Sequence, residues 1–238
     1  MPVLTVSGSV DPLLSVVLEK GECIFAERNA MVSMDSTLAL TGRVKGGLFS
    51  ALSRKLLNDE TFFQQKIEAV EGSGEVLLTP ALPGGIAVLE AGDRQYKIAD
   101  GAYLASTQNV ELNAETQSLG RALLGDSGGL FVLATKGSGQ VAVSGFGSMR
   151  CVELDGNKSV YVDNGHLVAW DKALEYELAL NTAKQGFFGK LLNSQTSGEG
   201  VVLKFSGIGR LYVCSRNRGG FLDWVFSQMP QEKMIKNE

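Results

Sequence analysis

The fold is decided by GSGQVAV at residues 137–143, where a Gly-x-Gly turn leads directly into an alternating apolar strand. The same arrangement occurs as GSGEVLL at 72–78 and as GIGRLYV at 207–213. Each copy follows a basic residue beside a Leu-Leu pair, at 54–57, 121–124 and 190–192. Because the second glycines, at positions 74, 139 and 209, recur at nearly equal intervals, the pattern indicates an internal repeat.

A second motif supports the same period. GAYLA at 101–105 resembles GHLVA at 165–169, which follows at a similar interval, and GECIFA at 21–26 is the counterpart in the first copy. The sequence therefore predicts three structural units at 1–82, 83–148 and 149–218, followed by a C-terminal helix and tail at 219–238. No Pro/Ser-rich linker separates the units, so we expect them to pack as one assembly.

The local signal favours a mainly β fold. Short β-branched or aromatic runs are bounded by Gly, Asp or Asn, at 76–78, 86–89, 96–98, 103–105, 130–134, 141–143, 160–162, 201–205 and 211–213. Many short strands at regular spacing are typical of a sandwich, a barrel or a β-helix-like roll. The Leu-Leu segments, such as 48–57, are predicted to be short helices.

The C-terminal segment is the clearest predicted helix. Its apolar residues fall on one face, with Asp223 expected in the first turn: Phe221, Leu222, Val225, Phe226 and Met229. Pro230 should end the helix, and the polar tail 231–238 should be loose. The apolar stripe is expected to dock on its own unit or on a neighbouring copy, and a peripheral membrane contact is a further alternative.

The amino-acid composition indicates which kind of partner and which cellular compartment to expect. Twenty-two Lys and Arg against 26 Asp and Glu give a net charge of -4, which argues against a nucleic-acid partner. Three cysteines, Cys23, Cys151 and Cys214, form no CxxC pair, so thiols in a reducing cytoplasm are expected. The N-terminal stretch is unlike a signal peptide and no apolar run is long enough to span a membrane, which agrees with a cytoplasmic protein.

Residues 125–129, GDSGG, match the nucleophile motif of chymotrypsin-like proteases. That mechanism needs a general-base His beside the serine, and the only histidine is His166, which follows Ser127 rather than preceding it. The motif is therefore interpreted as a polar turn. A lone His in a DNGH sequence is likewise interpreted as a turn residue, since a metal site needs several converging ligands.

No other motif carries chemistry. None of the Gly-x-Gly pairs extends into a dinucleotide fingerprint or a P-loop. We therefore predict no catalytic residue, no metal site and no cofactor. A small basic cluster, Arg210, Arg216 and Arg218, lies near Tyr212 and Trp224 in the sequence, either as a solvated rim or as a site for an anionic partner.

Several stretches together resemble the altered-inheritance-of-mitochondria-24 family. They are Gly21-Glu22, Ala26-Glu27, AMVSMD at 30–35, Gly46-Gly47, residues 54–63, GSGEV at 72–76, Pro83-Gly84 and VDNGHLVA at 162–169. One departure is Asn29, where a glycine is expected. Asn tolerates the left-handed conformation, so the turn should be kept.

The resemblance implies a fold similar to that of the trp RNA-binding attenuation protein. That fold is a short double-stranded β-helix unit, here triplicated in one chain, and such chains would assemble as homotrimers with a ring of nine units. The family supplies no catalytic residues to carry over. RNA binding would rest on fold analogy alone, and the acidic balance opposes it.

Two functions remain open. The first is a non-catalytic oligomeric scaffold or binding protein with an unidentified protein partner. The second is an enzyme or small-molecule sensor with a site between repeats that uses His166, Asp163 or Ser127. Exposed strand edges on the first and last units favour the homotrimer, because closing a ring removes them.

Overall fold

The computed structural model describes residues 1–44, 63–117, 130–179 and 201–229. Within these ranges the chain is mainly β, with several antiparallel sheets and one α-helix near the C-terminus, which confirms the predicted fold class at that level. The Leu-Leu segments expected to be short helices, the GDSGG motif with Ser127, and Pro230 with the tail lie outside the described residues.

Nineteen strands lie in the described ranges. They are β1 (Leu4–Ser7), β2 (Leu13–Leu18), β3 (Cys23–Glu27), β4 (Met31–Met34), β5 (Leu38–Val44), β6 (Phe63–Ala69), β7 (Gly74–Leu78), β8 (Ile86–Ala91), β9 (Tyr96–Ala99), β10 (Tyr103–Thr107), β11 (Val110–Gln117), β12 (Leu130–Gly137), β13 (Gly139–Ser144), β14 (Met149–Asp155), β15 (Val160–Asp163), β16 (Leu167–Asp171), β17 (Glu175–Leu178), β18 (Val202–Ser206) and β19 (Ile208–Cys214).

Four sheets contain these strands. Their strand orders are β1-β2-β7-β4, then β5-β6-β3-β10-β13-β8, then β11-β12-β9-β16-β19-β14, and finally β15-β18-β17. The two six-stranded sheets join strands that are distant in the sequence, since β3 pairs with β10 and β9 pairs with β16.

Side-chain alternation explains which face of a strand is buried. In β2, Leu14, Val16 and Leu18 are completely buried, whereas Val17 between them is 55% exposed. This is the period of two that a half-buried strand requires. β10 and β16 instead are buried at every residue, so both of their faces are covered.

Two hydrophobic clusters form the core. One gathers apolar residues between Leu4 and Leu78 and also takes in Leu104, Ala105 and Ala142. The other runs from Leu89 to Leu211 and contains Trp170 and Phe205, whose rings meet edge to face at 5.7 Å. Both clusters cross the predicted unit boundaries, so apolar burial joins neighbouring parts of the chain.

The Gly-x-Gly pairs lie at turns between strands, as predicted. The first glycine supplies a positive φ in two copies, +94° at Gly137 and +102° at Gly207. The second glycine lies against a side chain: a Cβ at Gly74 would be 2.6 Å from Thr37 Oγ1, and one at Gly209 would be 3.0 Å from Asp171 Oδ2. Asn29 adopts φ +62°, so it keeps the turn as expected.

The C-terminal helix, α1 (Arg218–Gln228), is confirmed. Asn217 caps its first turn by accepting a hydrogen bond from the Gly220 N–H at 3.2 Å. Because the helix begins at Arg218, Asp223 lies in the second turn and not in the first. No residue of α1 is buried and Phe226 is 59% exposed, so docking of the stripe on its own unit is not observed. Phe221 meets the Phe146 ring at 5.1 Å.

Candidate interaction surface

The edge of β4 is the first candidate surface. β4 pairs with β7, with a shift of register between Met31 and Ser33, and has no second neighbour among the described strands. Its side chains are mostly exposed, with Met31 at 37% and Val32 at 52%. An unpaired edge leaves backbone N–H and C=O groups available for another strand.

Two other strands have the same geometry as β4 but are covered. β10 pairs with β13 with a register shift between Tyr103 and Ala105, and β16 pairs with β19 with a shift between Leu167 and Ala169. On the opposite side, β3 covers β10 and β9 covers β16. The bulge therefore marks corresponding positions, and β4 differs by its open side.

The edge of β15 is the second candidate surface. β15 is bonded to β18 alone among the described strands, and Tyr161 is 41% exposed. β3 and β9 occupy the corresponding place beside β6 and β12, yet each has a second neighbour. The described strands thus include one open edge at β4 and another at β15, and the β3–β10 and β9–β16 pairs show that strands in these two positions pair with each other.

A buried polar network fills one of the covered contacts. Tyr103 Oη accepts a hydrogen bond from Gln64 Nε2 at 2.9 Å, donates to the Phe25 carbonyl at 3.0 Å, and lies 3.0 Å from Ser106 Oγ. Burial raises the pKa of Tyr103, so the phenol stays protonated. Its role is to connect β3 with β10.

His166 ends a short 3-10 turn, Asn164–His166, and Asp163 caps the start of that turn. His166 Nδ1 lies 2.8 Å from the Cys214 carbonyl, which accepts the hydrogen bond, and Asp163 Oδ1 accepts from the Gly165 N–H at 2.8 Å. Both side chains therefore bind backbone groups, in agreement with the turn interpretation of His166. Ser127, the third residue of the enzyme hypothesis, is outside the described residues.

The three arginines do not form one cluster. Arg210 Nε pairs with Glu153 Oε1 at 3.1 Å in the middle of the β14–β19 ladder. Arg216 lies beyond the end of β19, with its guanidinium 5.8 Å from the Phe146 ring. The strand between Arg210 and Cys214 spans about 13 Å, because each strand residue rises about 3.3 Å. Sequence proximity was misleading here, since an extended strand separates nearby residues.

The described residues contain neither a candidate metal centre nor a candidate membrane-spanning helix. Across 1–44, 63–117, 130–179 and 201–229, no group of three or more His, Cys, Asp or Glu side chains is placed to hold a metal ion. The same ranges contain no helix with the length and apolar character needed to cross a membrane.

The residues at the two edges were not singled out from the sequence. A usable signal exists, since 91–107 and 155–171 correspond position by position without a gap, with strands at matching places. Extending that correspondence to 19–35 aligns β4 with β10 and β16. Few residues are identical in this extension, so the sequence alone placed GECIFA at 21–26 opposite GAYLA at 101–105. The strand pairing corrects that assignment, because GECIFA leads into β3, the counterpart of β9, whereas β4 is the counterpart of β10.

Comparison with known proteins identifies the class. The sequence profile of the family described as Mitochondrial biogenesis AIM24 matches residues 4–216. The chain belongs to this family, which confirms the resemblance seen in the sequence.

Two similar proteins come from Streptococcus pyogenes, and neither printed name states an activity. An uncharacterized protein of Streptococcus pyogenes serotype M6 is 33% identical over 225 residues, which cover 92% of this chain and 87% of that protein. A crystal structure of a protein from Streptococcus pyogenes superposes with a TM-score of 0.77 at 31% identity, covering 96% of this chain and 100% of the other.

Proposed function

We propose that this protein is a non-catalytic scaffold or binding protein whose copies join head to tail through β4 and β15. The observation that carries the proposal is that these two edges are open. The corresponding edges inside the chain are paired, β3 with β10 and β9 with β16. Because the two open edges of a chain differ in type, β15 of one copy can pair with β4 of another copy.

Strand pairing supports three repeated units, β2–β7, β8–β13 and β14–β19. In each, the first and third strands pair with the sixth, as in β2, β4 and β7. The second and fourth strands pair with the fifth, as in β3, β5 and β6. This recurrence favours triplicated double-stranded β-helix units similar to the trp RNA-binding attenuation protein, with β1 added in front.

Neighbouring units are joined by one kind of contact. The second strand of a unit pairs with the third strand of the next, with Ala26 opposite Ala105 and Ile98 opposite Ala169. Applied between copies, the same rule pairs β15 with β4 of the next chain. The corresponding register places Val162 opposite Ser33 and Tyr161 opposite Met34.

Three copies would close a ring of nine units, the number that the family resemblance implies. Every junction in this ring is of one type, so no further interface is needed. Exposed apolar side chains at the edges, including Met31, Val32 and Tyr161, support burial there. Burial of each of these side chains would stabilise the assembly by about 25 cal/mol per Å² of apolar surface removed from water.

A scaffold role is supported by the engagement of the titratable side chains. His166 and Asp163, on which an enzyme or sensor would depend, are held by backbone hydrogen bonds. All three cysteines are thiols: Cys23, Cys151 and Cys214. This supports a protein that functions in the reducing cytoplasm. The partner that the scaffold would hold is a protein in this proposal, since the chain carries a net charge of -4.

Light scattering tests the assembly directly. The wild-type chain should give three times its 25.4 kDa mass at micromolar concentration. Tyr161→Glu should shift the mass towards one chain, because it places a carboxylate at the β15–β4 contact. Its far-UV circular dichroism should be unchanged, since Tyr161 is 41% exposed within the chain.

Ile208→Glu is the matched control, because Ile208 is 75% exposed and lies in neither β4 nor β15. This variant should keep the assembled mass. A wild-type chain that remains at 25.4 kDa would contradict the proposal.

A further inference from the structure

Asp171 marks one end of the contact between β9 and β16. Its Oδ2 accepts a hydrogen bond from the Arg210 N–H at 3.0 Å and lies 3.7 Å from Arg94 Nη1. The side chain of Asp171 is only 7% exposed. Arg94, which belongs to the turn before β9, thus supplies the cation for a carboxylate buried at a junction between two units.

Asp35 holds the corresponding place after β4. Its Oδ2 accepts from the Glu75 N–H at 2.9 Å, and Glu75 lies beside Val76 as Arg210 lies beside Leu211. The backbone hydrogen bond is therefore the same, but Asp35 is exposed, and no Lys or Arg of the described residues forms an ion pair with it.

Lys158 corresponds to Arg94 on the other edge. The turns between β8 and β9 and between β14 and β15 are of equal length, 92–95 and 156–159, and a basic residue is third in each. Lys158 is exposed. The pKa of Asp155 is lowered mainly by hydrogen bonds from Asn157, and the charge of Lys158 makes the smallest contribution to this shift.

We infer that Lys158 of one copy forms an ion pair with Asp35 of the next copy, as Arg94 does with Asp171 inside the chain. The inference rests on the proposed head-to-tail assembly and adds what selects the partner. Two β4 edges would bring the Asp35 carboxylates together and two β15 edges the Lys158 ammonium groups, so this pair of charges favours head-to-tail contact.

Dissociation of the assembly, followed by sedimentation velocity over a dilution series, tests this ion pair. Lys158→Gln and Asp35→Asn should each weaken the junction about tenfold. The double variant should be no weaker than either single one, since both remove the same interaction. Asp35→Asn keeps an oxygen for the Glu75 N–H, and Lys158 is exposed, so both chains should fold.

Lys20→Gln is the matched control. Lys20 is an exposed lysine in the turn before β3, and at the β3–β10 contact the residue that corresponds to Asp171 is Thr107, which has no carboxylate. Its dissociation constant should equal that of the wild type. Equal constants for Lys158→Gln and Lys20→Gln, with an intact wild-type assembly, would overturn the ion pair and leave the scaffold proposal standing. A monomeric wild type would overturn both.

Discussion

Three side chains perform the same task at the ends of β4, β10 and β16. Asp35, Thr107 and Asp171 each accept a hydrogen bond from a backbone N–H at the start of the paired strand, that of Glu75, Gln140 or Arg210. The second glycine of each Gly-x-Gly pair lies directly against this side chain or its neighbour. A Cβ there would displace the acceptor, so glycine is required for steric reasons.

Gly139→Ala should therefore destabilise the chain. A Cβ at this position would overlap Thr107 Oγ1, and the φ of +142° disfavours a side chain in any case. The free energy of unfolding should fall by about 2–4 kcal/mol, combining overpacking with backbone strain. Urea denaturation measures this change.

Gly92→Ala serves as its control, because nothing lies within 4 Å of the added Cβ and the φ of Gly92 is not in the left-handed region. The control should stay within about 0.5 kcal/mol of the wild type. Similar losses in both variants would show that the contact with Thr107 does not matter.

The glycine spacing could be predicted from the sequence, whereas its contact could not. Recurrence of Gly-x-Gly is visible because it is local. Thr107 is distant from Gly139 along the chain, so the atom that excludes a side chain emerges only when β10 pairs with β13. The turn at Asn29 was predictable for the opposite reason, since its φ of +62° depends on the residue itself.

Strands were predictable where their alternation or β-branched content is strong. The nine predicted runs fall in strands, except that β18 starts one residue later, at Val202. β4 and β14 were among those missed, because Met31–Met34 and Met149–Asp155 are largely exposed and lack a regular apolar period. One edge of the proposed contact, β4, was therefore missed, whereas the other edge, β15, was among the predicted runs.

Glu27, at the end of β3, is influenced by charges on the turn before β10 and on α1. Burial of its carboxyl group, together with the negative charge of Asp100, raises the pKa of Glu27 to about 7, although Arg218 opposes the shift. The folded chain holds this proton up to about pH 7, whereas the unfolded chain releases it near the ordinary value of 4.5. The stabilisation is therefore complete below about pH 4.5 and is lost as the pH rises through 7.

Glu27→Gln should reduce this loss of stability. Between pH 5 and pH 8, the melting temperature of the wild type should fall more than that of the variant, because Gln stays neutral. Glu111→Gln, at an exposed position in β11, is the control and should follow the wild type. Parallel profiles for Glu27→Gln and the wild type would contradict the assignment.

At the scale of the molecule, recurring segments are visible in the sequence, whereas the closure of the proposed ring is not. The constant offset between 91–107 and 155–171 reveals equivalent segments. The angle between adjacent units, which sets how many complete a ring, depends on the packing of side chains such as Leu104 and Ala142 across the boundaries. No periodicity in the sequence encodes that angle, so the number of copies came from the family resemblance.

Hydrogen exchange should reveal the closed edges. In the assembled protein, backbone amides of β4 and β15 should exchange as slowly as those of β10 and β9, because both sides of each strand would be paired. β8 and β14, which are edge strands of their sheets, provide the fast reference. Mass spectrometry of peptides from these strands measures the difference. Rates in β4 and β15 equal to those of β8 and β14 would contradict pairing between copies.

Each chain has two different ends, β4 and β15, and this has a genetic consequence. In the proposed head-to-tail assembly, a mutation that disrupts only β15 would leave β4 intact, so the altered chain would still join a normal neighbour and would then block the next addition. In a cell that expresses both alleles, such a mutation would be dominant. A core mutation that prevents folding removes its own product from the pool and would be recessive.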